Sequence, residues 1–184
     1  MAIWNIETPI EEKMRKKLRA GDSLSLSGVI YTARDAAHKR LAETLKSGSP
    51  LPFDIIGQTI YYMGPTPARQ GHVIGSCGPT TSSRMDAFTP VLLSAGLGAM
   101  IGKGERSAEV KEAIKKQRAV YFMTYGGAGA LLAKTVRKAE VVAYAELGAE
   151  AIMRLEVEDF PVIVANDMYG GDLFAQQIAK YRRK

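Results

Sequence analysis

Hydrophobic and polar residues alternate with period two along Ser23-Leu24-Ser25-Leu26-Ser27, the pattern of a half-buried strand, and Gly28-Val29-Ile30-Tyr31-Thr32 extends the run. At Asp35-Ala36-Ala37-His38-Lys39-Arg40-Leu41-Ala42 the spacing becomes helical. Leu41 and Leu45 share a face there, and Gly48 closes the element. Upstream, Thr8-Pro9-Ile10-Glu11 has the form of a capping box with Pro at the first helical position, which predicts a helix to Arg19. Ala20-Gly21-Asp22 then turns the chain. Residues 49 to 79 are rich in Pro and Gly, with short strands expected at Thr59–Met63 and at His72-Val73-Ile74.

Beyond Asp86 the pattern becomes regular. Thr89 should cap a short helix with Pro90 at its first position, and Ala99-Met100-Ile101 reads as a buried strand ending in Gly102-Lys103-Gly104. Ser107 caps a helix running to Gln117. A strand over Ala119–Tyr125 passes through Gly126-Gly127-Ala128-Gly129 into a helical segment. Further strands are expected at Glu140–Ala145 and Phe160–Asp167, with a helix between them at Ala149–Glu156 and a last helix opened by Asp172. Strands alternating with helices predict α/β architecture, in which helices cover a largely parallel sheet. There is no internal repeat, and one domain over residues 1–184 is expected.

Composition adds limits. At 46% hydrophobic and 24% charged, the chain is ordinary for a folded, water-borne domain. Its single cysteine, Cys77, excludes an internal disulfide and any metal site built from several cysteines of this chain, and it fits a reducing compartment. No stretch is long and apolar enough to span a membrane, and Met1–Glu7 lacks the features of a secretion signal. A cytoplasmic protein is expected. The net charge of +6 comes with clusters at Lys13–Arg19 and Lys180–Lys184. They have no interleaved aromatics, so solvated faces and a tail explain them better than nucleic-acid binding does. A field that draws in a small dianion fits equally well.

The densest candidate chemistry lies in Gly78-Pro79-Thr80-Thr81-Ser82-Ser83-Arg84-Met85-Asp86. If a helix began there, its unpaired N–H groups would add to these hydroxyls and to Arg84 in receiving a carboxylate or phosphate. Lys103 is not the lysine of a phosphate loop, because Leu97 and Gly104 occupy the places that motif reserves for Gly and for Ser or Thr. It is instead a lysine at the carboxyl end of a buried strand, where ligands of open α/β sheets sit. Gly127-Ala128-Gly129 lacks the third glycine of a dinucleotide fingerprint, since Leu132 stands there, so a tight structural turn is the better reading. His38 and His72 have no partners for a metal site or triad, and Cys77 has no evident base. Arg34, Arg84 and Lys103, with Thr80 and Thr81, suit a substrate bearing two carboxylates. No general acid, metal cluster or nucleophile accompanies them in this chain. The set reads as half of a site.

Taken with their order, several stretches carry a resemblance. These are Arg34-Asp35-Ala36-Ala37-His38, the run Gly75–Asp86, Ile101-Gly102-Lys103-Gly104, Tyr125-Gly126-Gly127, Gly148–Ala151, Val157–Pro161 and Asp172-Leu173-Phe174. Together they resemble the β subunit of class I iron–sulfur fumarate hydratases and, by the same pattern, of L(+)-tartrate dehydratase. The resemblance implies a swivelling β/β/α domain and a separate α subunit that carries a [4Fe–4S] cluster on three cysteines. One iron of that cluster would stay open to act on the substrate hydroxyl, and none of it would be bound by this chain alone. Further dimerisation of the resulting heterodimer is expected. The resemblance also implies that Arg34, Arg84 and Lys103 hold the substrate carboxylates and hydroxyl and that Thr80 takes the proton from carbon; Thr81, beside them, is expected to bind substrate too. Fumarate hydration is the reading it favours. Tartrate dehydration and a stand-alone dicarboxylate-binding domain are the alternatives. One departure is Asn166–Asp172, where a contact with the other subunit or a role in substrate choice is expected.

Overall fold

The long alternating run at 23–32 folds as a strand, and the sheet closes around it. In the computed structural model, which describes residues 3–182, β2 (Ser23–Thr32) is flanked by β1 (Ile3–Thr8), β3 (Thr59–Tyr61) and β7 (Ile152–Asn166). On one edge β1 runs parallel to its first half, from Ile3↔Ser23 to Thr8↔Gly28, and β3 runs parallel to its end at Tyr31↔Ile60. Then β4 (Ala99–Gly102) and β5 (Val120–Met123) follow in parallel. Strand β7 runs antiparallel to β5 and also to β2, with Leu24↔Val162, so β2, β3, β4, β5 and β7 form a closed ring. At the margin, β6 (Val136–Ala143) lies antiparallel to β7.

Alternation along each strand fills two cores. Leu24, Leu26, Tyr61, Ile101, Phe122, Phe160 and Val164 pack inside the ring. Ile60, Met100, Tyr121 and Ala165 face outward against Leu41 of α2 (Asp35–Lys46), Leu92 of α3 (Thr89–Ser94) and Ile114 of α4 (Ala108–Lys116). Each such fully buried Leu or Ile contributes about 1.5–3 kcal/mol. The result is a mixed sheet with flanking helices. Two shorter helices, α1 (Glu12–Arg15) and α5 (Gly129–Ala133), join elements, and α6 (Leu173–Tyr181) ends the fold. No helix among the described residues is long and apolar enough to cross a membrane. Met1, Ala2, Arg183 and Lys184 lie outside the described residues, and with them part of the N-terminal reading and the end of the basic C-terminal cluster.

Several expected elements differ. The Thr8 capping box does not form: Thr8 ends β1 and its hydroxyl donates to Ser27 O (3.3 Å), leaving only the four-residue α1. Residues 72–74 pair with no strand among the described residues, and His72 N instead donates to Arg69 O in a turn. The expected helix at 149–156 is a 3-10 turn over Ala145–Glu150 followed by the start of β7. Ile152, Leu155 and Val157 are buried there, so pairing with β2 and β6 overrides helical propensity. The parallel arrangement holds for β1 to β5, while β6 and β7 are antiparallel.

Candidate functional site

The parallel strands finish at one end of the sheet, and the polar residues gather there. After β2, Ala33 N donates to Tyr61 O (3.1 Å), and Arg34, in an extended conformation, leads into α2. Beyond β3 the chain loops out and returns at Thr80, whose N–H donates to Tyr62 O (2.6 Å). Thr81 then bridges Lys103 in parallel register, and Ser82 N donates to Lys103 O (2.9 Å). Lys103 N answers by donating to Ser82 Oγ (3.1 Å). Residues 80–82 therefore act as a short extra strand beside the ends of β3 and β4. The expected helix start is a four-residue 3-10 turn, Ser82–Met85, with no side-chain cap. The amides of Thr80 and Ser82 are spent on carbonyls rather than left for an anion.

Arg34 and Arg84 meet through one carboxylate. Asp35 Oδ1 accepts from Arg84 Nε (2.8 Å), and Oδ2 accepts from Arg34 Nε (3.3 Å). Glu150 Oε1 lies 3.5 Å from Arg34 Nε, while its other oxygen accepts from Ala36 N (2.8 Å). Partial burial alone would raise the Asp35 pKa, but backbone donation and the two guanidiniums hold it below its usual value. Lys103 makes no ion pair among the described residues, and Thr80 is half-buried with a hydroxyl free of hydrogen bonds there. Gly64 lets Arg34 pass: a Cβ at that position would sit 3.0 Å from Arg34 Cδ and 2.6 Å from Ala149 O.

Beneath the turn lies a buried cation that sequence reasoning missed. The Arg106 side chain is 0% exposed, and its Nε pairs with Asp86 Oδ1 (2.7 Å). It also donates to Thr89 Oγ1 (2.7 Å) and Tyr62 OH (3.2 Å), and its guanidinium lies 5.0 Å from the Tyr121 ring centroid. Burial works against its charge, yet Tyr62, Asp86 and Tyr121 raise its pKa. Tyr121 OH donates to Gly104 O (2.8 Å) and shares a 2.8 Å hydrogen bond with Ser82 Oγ. Asp86 and Arg106 thus hold the turn from below. The one sequence signal was Asp86 closing the Thr/Ser/Arg run.

The remaining candidates are structural. Cys77 is buried, and desolvation pushes its thiol pKa up to about 12, which leaves almost no thiolate at neutral pH and suits a small residue packed under the turn. His38 is buried, its Nδ1 lies 3.1 Å from Arg34 O, and burial pushes its pKa down to about 4. His72 is exposed. Among the described residues, no group of three or more His, Cys, Asp or Glu side chains could hold a metal ion, so these residues do not fit an iron–sulfur cluster. A cleft of about 480 Å³ between the 66–76 loop and α5 carries Arg69, His72 and Lys134, but none of Arg34, Thr80, Thr81, Arg84 or Lys103 lines it.

The segment at 166–172 has an internal role. Asp167 accepts from Ala20 N (2.9 Å), Tyr169 N (2.8 Å) and Gly171 N (2.9 Å). Asp172 caps α6 by accepting from Phe174 N (3.0 Å). Asn166 pairs with Tyr121 at the start of β5, at the opposite end of the sheet from Arg34 and Lys103.

A family model described as the Fumarase C-terminus matches residues 3–177. "Fumarate hydratase class I, aerobic" of Salmonella typhimurium is 45% identical over 156 residues, covering 83% of this chain and 27% of that protein. "Fumarate hydratase class I, anaerobic" of Escherichia coli is 44% identical over 160 residues, covering 85% of this chain and 29% of its own length. The chain thus spans less than a third of the fumarate hydratases it matches. A Methanocaldococcus jannaschii protein provisionally named L(+)-tartrate dehydratase subunit beta is 39% identical over 181 residues, covering 95% of this chain and 93% of its own.

Proposed function

The chain belongs to the Fumarase C-terminus family, and from that premise we propose that it is the substrate-binding half of a hydro-lyase interconverting fumarate and L-malate. The observation that carries this reading is the convergence of Arg34, Thr80, Thr81, Arg84 and Lys103 at the carboxyl ends of the parallel strands. In the dehydration direction a proton leaves the carbon beside one carboxylate. The electron pair it leaves behind spreads into that carboxylate before the hydroxyl departs from the neighbouring carbon. Thr80 receives the proton in this reading. A neutral hydroxyl cannot keep a second proton, so Thr80 acts as its alkoxide, having released its own proton, and the hydroxide that departs takes up a proton and leaves as water. The step also depends on stabilising the charge that moves into the carboxylate. Arg34 and Arg84 hold the carboxylates, Thr81 donates beside them, and Lys103, without a counter-ion among the described residues, meets the developing charge.

The [4Fe–4S] cluster belongs, in this reading, to an α-type partner polypeptide, and the assembled heterodimer pairs further. The test is fumarate hydration by this chain alone and then mixed with its α-type partner under anaerobic conditions. Turnover only in the mixture is expected. Turnover by the isolated chain would overturn the division of labour. Tartrate dehydration is the second reading, favoured by the match along nearly the full length of the Methanocaldococcus jannaschii subunit. A mixture that dehydrates L(+)-tartrate and ignores fumarate would select it.

A further inference from the structure

We infer that Asp35 is a positioning residue: its two oxygens hold Arg34 and Arg84 side by side by their Nε edges, so that the Nη forks of both guanidiniums face a dicarboxylate. This rests on the function proposed above for where the forks are used, but the bridge itself stands on geometry. The two arginines come from different elements, one at the end of β2 and the other on the Ser82–Met85 turn. Asp35 gives one oxygen to each, at 3.3 Å and 2.8 Å. Both contacts are made through Nε, and among the described residues neither arginine donates a hydrogen bond through Nη. An arginine whose Nε is occupied still offers its two terminal nitrogens as a planar fork, the geometry that matches a carboxylate in bidentate fashion.

Two neighbouring guanidiniums repel each other, and Arg84 is half-exposed, so without a shared anion it would swing into solvent. The side chain of Arg34 is constrained separately, by Gly64 beneath it and by Glu150. Asp35 therefore sets the distance between the forks more than it holds either arginine alone. Its lowered pKa keeps it charged for that role. An asparagine at this position keeps one acceptor oxygen and loses the charge, so at most one guanidinium keeps a partner there and neither keeps a charged one.

The test compares the wild type with Asp35→Asn and Asp35→Glu, each in the complex with the cluster-bearing partner. Asp35→Asn should raise KM for fumarate about tenfold or more while lowering kcat less, and Asp35→Glu should restore part of the loss. A second readout needs no activity. In ¹H–¹⁵N spectra of this chain, the Nε–H signals of Arg34 and Arg84 should both move in Asp35→Asn, with backbone signals beyond the site unchanged. An unchanged KM, or Nε–H signals that stay in place, would overturn the inference. If the wild-type complex turns over no dicarboxylate, the functional reading fails, and the spectra still decide whether Asp35 bridges the arginines.

Discussion

Arg106 shows what a single residue contributes here. Its buried charge is compensated by Asp86, Thr89 and Tyr62, and its partner Asp86 also accepts from Ser107 N (2.7 Å). Removing one member of a buried pair leaves the other charge without a partner in a poorly polar interior. Arg106→Ala should therefore lose about 3–5 kcal/mol of stability by urea denaturation, whereas Lys103, whose side chain makes no ion pair among the described residues, should tolerate the same change with little loss. Comparable losses in both variants would contradict this account of Arg106. Arg34, Arg84 and Lys103 were legible in the sequence because each is a cation beside a strand end or a Gly-Pro turn. Arg106 was not, because its role is set by partners at Asp86, Tyr62 and Tyr121, and local spacing gives no sign of such contacts.

At the scale of elements, the end of β4 fits against the 80–82 segment with no spare volume. A Cβ on Gly102 would lie 2.9 Å from Tyr62 Cδ2 and would overlap Ser82 Oγ. Gly102→Ala should therefore cost about 1–3 kcal/mol and displace Ser82, lowering turnover in the assembled complex more than Tm alone explains. Circular dichroism with steady-state kinetics would check it, and full activity at normal Tm would contradict it. Strands β2 and β4 and the caps at Ser107 and Asp172 could be read from local pattern because local physics determines them: alternation, or a side-chain oxygen accepting from the first turn. Where reading failed, the cause was long-range. Thr8-Pro9-Ile10-Glu11 satisfies a capping rule, yet Ile3–Thr8 finds a parallel partner in β2. In β7 the alternation breaks at Asp159, which adopts φ 56, so the strand read as a helix followed by a shorter strand.

For the whole molecule, stability should depend on pH through His38. Burial lowers its folded pKa from 6.5 to about 4, so the unfolded chain binds the proton more tightly. Stability is then fully present above pH 6.5 and is lost as pH falls toward 4, by roughly 3 kcal/mol for this group. Urea unfolding at pH 7 and pH 4.5 should show a smaller difference for His38→Gln than for the wild type. Equal differences would mean that His38 does not drive the dependence.

The ring of strands also bears on how the chain reaches this state. Its closure joins β2 to β7, with Leu24 opposite Val162, so the contacts that seal the barrel lie far apart in the chain. Contacts at such separation must overcome a large loop-closure entropy before they stabilise anything, and proteins dominated by them fold slowly. During synthesis, β2 emerges long before its antiparallel neighbour, and its unpaired edge stays open to other chains until β7 arrives.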